Sequence, residues 1–277
     1  MPNFFSLIES AAIRFPDRTA IEVVRPARLE PTTYRDLIDE ARQVSGWLAS
    51  RGIAAGDRVA ILADNDARWI ARYLGILHLG AVAVPLDTAY KAGQVRTVMT
   101  NSGARLIFTT PRYLATVTAA RDTGADWQVA LLSGEAPEVP GPAEVASADA
   151  GGQAAGVRDD EAAVILYTSG TTSDPKGVVL THANLAAEQR AAFEVVDVTK
   201  DDALLGVLPL FHALAQMANL LLPLSVGARV VFLESISSTT LVEALQKRHI
   251  TIFACVPQFF YLIHQRVTRE VAAKGRL

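Results

Sequence analysis

Residues 57–87 read "DRVAILADNDARWIARYLGILHLGAVAVPLD". "DRVAIL" ends in an apolar run, the pattern of a strand covered on both faces. "ARWIARYLGILHLG" then follows with helical spacing and closes at Gly80, and "AVAVPLD" is a second apolar strand. Two such strands joined by a helix form a parallel pair, since a tight hairpin would reverse the chain. The alternation extends both ways. Upstream, Leu37, Ile38, Ala41, Val44, Ser45 and Leu48 form one stripe of a helix, with Gly52 where a C-terminal cap belongs. Downstream come a helix in "AGQVRTVMTNSG", a strand in "ARLIFTT", a helix opened by Pro111 and a strand in "WQVALL". The expected class is α/β, with parallel-rich sheets covered by helices in layered subdomains.

The pattern lapses between Ser133 and Asp160, a stretch rich in Ala, Gly, Pro and acidic residues. That composition suggests a linker or boundary at 133–160, between a first α/β subdomain at 1–132 and a second at 161–277. In the second part, "EAAVILYT", "ALLGVLPLF", "ARVVFLE" and "TIFACV" read as strands. Helices lie between them, one capped by Thr181 and a last one beginning with Pro257. The N-terminus reads as a short amphipathic helix with Phe4, Leu7, Ile8, Ala11 and Phe15 on one side, and lacks a secretory pattern.

Composition narrows the function. Half of the 277 residues are hydrophobic, enough for a substantial core, and the net charge of −3 with no long basic run argues against nucleic-acid binding. The single cysteine, Cys255, can form no internal disulfide, so a reducing cytoplasm fits and a buried, inert thiol is expected. Residues 203–228 carry no charged side chain, yet Pro209, His212, Gln216, Asn219, Pro223 and Gly227 interrupt them. They read as buried strand, turn and helix in a soluble protein, not as a membrane span.

Function concentrates in "LYTSGTTSDPKGVVLTH", Leu166–His182. A loop after a buried strand of a parallel sheet lies at the carboxyl edge, where ligands of α/β proteins bind. This one offers the hydroxyls of Thr168, Ser169, Thr171, Thr172 and Ser173, close backbone approach at Gly170, and the cation of Lys176. Many short donors with one cation suit a polyphosphate. "GTTSDPKGV" lacks the Gly-Lys-Ser/Thr ending of a Walker P-loop, and no early GxGxxG, HExxH or EF-hand pattern is present.

"AAVILYTSGTTSDPKGVVLTHANL" resembles the phosphate-loop signature of the adenylate-forming, or AMP-binding, enzymes: acyl-CoA synthetases, peptide-synthetase adenylation domains and luciferases. "TTYRDLIDEARQVSGWLASRGIAAGDRVAI" and "GILHLGAVAVPLD" resemble the family's first two motifs, and "LPLFH", Leu208–His212, its fourth, so the resemblance covers most of the chain. It implies the fold of the family's large N-terminal domain. It also implies ATP-dependent activation of a carboxylic acid to an acyl-adenylate, then transfer to the thiol of coenzyme A. By analogy, Thr168, Ser169, Gly170, Thr171, Thr172 and Lys176 hold the β- and γ-phosphates, with Thr171 the magnesium (Mg2+) contact. "LPLFH" has the form found in acyl- and aryl-CoA synthetases and implies acyl-pocket contacts at Phe211 and His212. The other histidines read as structural or exposed, and Asp87 as ordering a turn. A fatty acid is the expected substrate. The alternatives are an aryl-acid or peptide-synthetase adenylating domain, or a non-catalytic nucleotide- or phosphate-binding module.

Two departures stand out. Ser173 occupies a position where the family has Gly, at a cost of about 1 kcal/mol if positive φ is needed there. The family's aromatic-Gly-x-Thr-Glu and Thr-Gly-Asp motifs and its late catalytic lysine are not found before Leu277. The chain is therefore expected to be an N-terminal part, inactive alone, with Phe259, Phe260, Leu262 and Ile263 of the last helix forming an apolar patch.

Overall fold

The computed structural model describes residues 4–121, 125–136, 139–148, 156–168 and 176–274, and stacks two mostly parallel sheets between three layers of helices. The chain opens with α1 (Phe4–Arg14), a hairpin of β1 (Thr19–Val24) and β2 (Leu29–Thr33), and α2 (Tyr34–Ser50). Thr33 starts α2 through a reciprocal cap: its hydroxyl accepts from Asp36 N, and the Asp36 carboxylate accepts from Thr33 N. Next come β3 (Arg58–Leu62), α3 (Ala67–His78), β4 (Val82–Pro85), α4 (Ala92–Ser102), β5 (Ala104–Thr109), α5 (Pro111–Ala120) and β6 (Gln128–Leu131). A short α6 (Pro142–Ala146) leads to β7 (Ala162–Thr168), β8 (Lys176–Thr181) and α7 (His182–Phe193), the last capped by Thr181 as expected. The remainder is β9 (Ala203–Leu205), α8 (Ala213–Gln216), a π-helical turn (Met217–Leu221), α9 (Leu222–Val226), β10 (Arg229–Leu233), α10 (Ser238–Lys247) and α11 (Pro257–Lys274).

One sheet has six strands in the order β6-β5-β3-β4-β7-β8, parallel except for the antiparallel β7–β8 pair. The other has four in the order β2-β1-β10-β9, parallel except for the β1–β2 hairpin. Alternating side chains of each strand serve opposite faces. Val59 and Ile61 join the central core with α1, α2 and α3, whereas Ala60 and Leu62 pack with residues of α4 and α5. Likewise Val230 and Phe232 face the central core, and Val231 and Leu233 pack with α10 and α11. Both sheets are thus covered on both faces, which is why their strands read as continuous apolar runs.

The structure differs from the sequence reading in several places. Each sheet takes strands from both sides of residues 133–160, so the sheets do not divide at that segment, and α6 lies within it. The first hairpin escaped a reading tuned to buried strands, because β2 lies at the edge of its sheet and is half-exposed. β9 is much shorter than "ALLGVLPLF". It stops where Gly206 passes the Phe232 ring, so closely that a Cβ there would run into Phe232 Cε1. "TIFACV" pairs through one bridge, Leu204 with Ile252, before Pro257 opens α11. Cys255 is half-buried rather than fully enclosed, and burial raises its thiol pKa. Among the described residues no helix is long and apolar enough to cross a membrane.

Candidate functional site

Three of the parallel strands in the larger sheet end in polar loops on the same edge: β3 in Asp64-Asn65-Asp66, β4 in Asp87-Thr88, and β5 in Thr110. In the smaller sheet β9 runs out into Gly206–His212 and β10 into Glu234-Ser235. These ends meet. A cavity of about 360 Å³ is lined from one sheet by Asp64, Asn65 and Thr88, and from the other by Phe211, Glu234 and Ser235. A second, of about 270 Å³, continues along the same edge and shares Asp64, Asn65 and Glu234 with the first. The cleft therefore lies outside the carboxyl ends of strands from both sheets, where α/β folds bind ligands.

Its walls are held by charge. Arg25 donates to Asp66 at 2.6 Å, Glu30 at 2.9 Å and Glu234 at 3.1 Å, tying the first hairpin to both sheets. Burial opposes the Arg25 charge, but the hydrogen bonds to Asp66 and Glu30 outweigh it and the pKa is raised. Across the cleft, Arg112 and the Tyr113 hydroxyl both donate to Asp64, at 3.0 and 2.7 Å. Burial first, and then the bond to Asp64, pushes the Tyr113 phenol up to about 12. Asp87 orders its turn as expected, accepting from Ala89 N at 2.8 Å.

The strands on either side of the stretch read as a phosphate loop pair as a hairpin. Thr168 ends β7 and Lys176 begins β8, and the two are direct cross-strand partners, both exposed. Seven residues separate them in the sequence, but the hairpin closes them into one pair. β7 neighbours β4 and runs parallel to it, so Thr168 emerges on the edge where Thr88 lines the cleft. Ser169, Gly170, Thr171 and Thr172 lie outside the described residues, as does Ser173. Among the described residues no group of three or more His, Cys, Asp or Glu is placed to hold a metal ion.

Phe211 lines the cleft, with His212 beside it: their ring centroids are 4.4 Å apart, tilted by 53°. His212 stands exposed at the start of α8. The segment carrying both is held by side chains from elsewhere. Asn65 Nδ2 donates to Leu208 O at 2.8 Å, and Leu210 N donates to Asn65 Oδ1 at 3.0 Å. Gln216 Nε2 donates to Leu210 O at 2.8 Å, and Tyr73 donates to Gln216 Oε1 at 3.0 Å. The sequence reading passed over Asn65 and Tyr73, and took Gln216 only as an interruption of an apolar stretch. The one local signal was the polar triplet "DND" between an apolar strand and a helix.

A family model described as AMP-binding enzyme matches residues 8–276. The chain belongs to that family. Among curated relatives, the AMP-binding chain is 30% identical over 267 residues to an oxalate–CoA ligase of Arabidopsis thaliana, covering 94% of this chain and 51% of that protein. It is 29% identical over 248 residues to the long-chain-fatty-acid–CoA ligase FadD13 of Mycobacterium tuberculosis, covering 87% and 48%. Among solved structures, the N-terminal domain of FACL13 from Mycobacterium tuberculosis superposes with a TM-score of 0.85 at 26% identity, covering 96% of this chain and 65% of that one. The AMP-binding chain thus spans about half the length of these curated relatives, which are CoA ligases.

Proposed function

We propose that this chain carries the phosphate and acyl subsites of an ATP-dependent acid–thiol ligase acting on fatty acids. The observation that carries the reading is the β7–β8 hairpin, which pairs Thr168 with Lys176 on the edge that holds the Phe211-lined cleft. A carboxylate oxygen of the acid attacks the α-phosphorus of ATP. The bond to the bridging oxygen of the β-phosphate breaks, and pyrophosphate leaves with that electron pair. The thiol of coenzyme A, giving its proton to solvent, then attacks the acyl carbon, and AMP departs with the electrons of the broken C–O bond.

The chain's own task in the first step is to hold the departing charge. Lys176 supplies a mobile cation, and Thr168 with Ser169, Gly170, Thr171 and Thr172 supplies hydroxyl and amide donors, as preorganised stabilisation of a leaving anion requires. Magnesium is the counter-ion this chemistry uses when bound, and Thr171 is its proposed contact; the described residues add no further ligand set. At the other end Phe211 and His212 face the acid. The fatty-acid reading is supported by the long-chain-fatty-acid–CoA ligase relative and by the apolar residues Val207 and Leu233 that line the cleft with Phe211. A single cysteine suits a reducing cytoplasm.

Calorimetric titration of ATP into the chain tests this directly. Lys176→Ala is expected to weaken binding about tenfold or more, the worth of a charge-assisted contact. Equal affinity in the variant, or no binding by the wild-type chain, overturns the phosphate reading. An ATP–pyrophosphate exchange assay with a fatty acid then reports whether this chain forms the adenylate by itself.

A further inference from the structure

We propose that Asn65 is the positioning residue of the acyl subsite, fixing Leu208–His212 so that Phe211 is presented to the cleft; this rests on the acyl reading of Phe211 given above. A primary amide offers a donor and an acceptor in one plane, like a peptide group. Asn65 uses both on one segment, donating to Leu208 O and accepting from Leu210 N. Pro209 between them has no N–H, so the amide bonds on either side of the residue that cannot take part in a ladder.

The segment needs such a partner. β9 has ended at Leu205 and α8 has not begun; Gly206 N still reaches Val231 O in β10, but the groups of Val207–His212 lack a regular ladder to satisfy them. Gln216, itself held by Tyr73, takes Leu210 O, and Asn65 takes Leu208 O and Leu210 N, while His212 N turns back to Pro209 O. Asn65 belongs to the β3–α3 loop of the larger sheet, whereas the segment issues from the smaller one. One side chain therefore sets the distance between the two walls of the cleft at the point where Phe211 stands. Asn65 is half-exposed and lines the same cavity as Phe211, so water can replace its bonds without unfolding the protein. What water cannot replace is the fixed spacing.

Two substitutions separate placement from stability. In Asn65→Asp the ionised carboxylate keeps the acceptor for Leu210 N but turns a second acceptor toward Leu208 O; protonation restores an O–H donor. The acids Asp64, Asp66 and Glu234 and the cations Arg25 and Arg112 surround it. Asn65→Leu removes both bonds at any pH. The readouts are the Phe211 ring resonances by NMR and the affinity for dodecanoate, with ATP affinity and melting temperature as controls. Both variants should shift the Phe211 signals at pH 7.5 and weaken dodecanoate binding about tenfold, leaving ATP affinity unchanged. Only Asn65→Asp should move toward the wild-type Phe211 positions as the pH falls toward the ordinary aspartic acid range of about 4. Phe211 signals that stay at wild-type positions in Asn65→Leu, or equal dodecanoate affinity in all three proteins, overturn the role of Asn65. Failure of the wild-type chain to bind dodecanoate instead overturns the acyl reading on which it rests.

Discussion

Helices α3 and α11 are both rich in large apolar side chains, and their fates are opposite. Every residue of α3 except Arg68 is buried, including Arg72, paired with Glu40, and His78, whose ring lies 4.3 Å from that of Phe5. In α11 no described residue is fully buried: Phe259, Leu262 and Ile263 lean on the outer core that holds Val231, Leu233 and Leu241, while Phe260, Tyr261, Val267 and Val271 stand exposed. The difference lies in the neighbours. α3 sits in the central layer, backed by α2 and flanked by both sheets. α11 lies in an outer layer, against one face only. An apolar stripe specifies which side of a helix seeks cover; the layer order decides how many sides receive it.

The comparison can be broken most forcefully at Gly75. A Cβ there would lie 2.6 Å from Val44 Cβ and 2.7 Å from Ala41 O, so α2 and α3 touch through a glycine. Gly75→Ala should cost about 1–3 kcal/mol in chemical denaturation, the range for overpacking a filled core. An unchanged midpoint would mean the central layer is looser than its geometry implies. A smaller effect should come from His78. Burial lowers its pKa, with Glu9 opposing and Arg42 assisting. The unfolded chain therefore takes up the proton first, and stability is full above the ordinary histidine range of about 6.5 and declines as pH falls through the folded value. His78→Leu should flatten part of that decline in melting curves between pH 8 and 5.5; His182, also buried with a lowered pKa, retains the rest. Identical curves would sink the assignment. The smallest effect belongs to α11, where Phe260→Ser should stay within about 0.5 kcal/mol. A larger loss would show that its ring is covered in solution.

How much of this the sequence revealed follows the same division. Strands β3, β4, β5 and β10 announced themselves because a parallel sheet covered on both faces leaves no polar positions to blur the run. The caps at Thr33 and Thr181 are local chemistry; Thr181 was legible as such. Strand order was not legible, because β1 pairs with β10 and β7 with β4 across distant parts of the chain and no periodicity records partners. Of the residues proposed for the site, Thr168, Lys176, Phe211 and His212 were singled out from motifs, and Phe211 lines the cleft. The Asn65 amide was not: its two bonds span 143 and 145 positions, and an asparagine before a helix looks like ordinary loop chemistry.

One pairing has a consequence in time. β1 lies between β2 and β10, with Ile21 opposite Val230. During synthesis the first hairpin leaves the ribosome about 200 residues before the strand that completes its sheet. At roughly 5–20 residues per second, that leaves β1 with an unpaired edge for about 10–40 s. Ile21 and Val23 are fully enclosed only after that wait. The smaller sheet is thus the last to close and the part of the nascent chain most in need of protection, while most of the larger sheet is already available to fold.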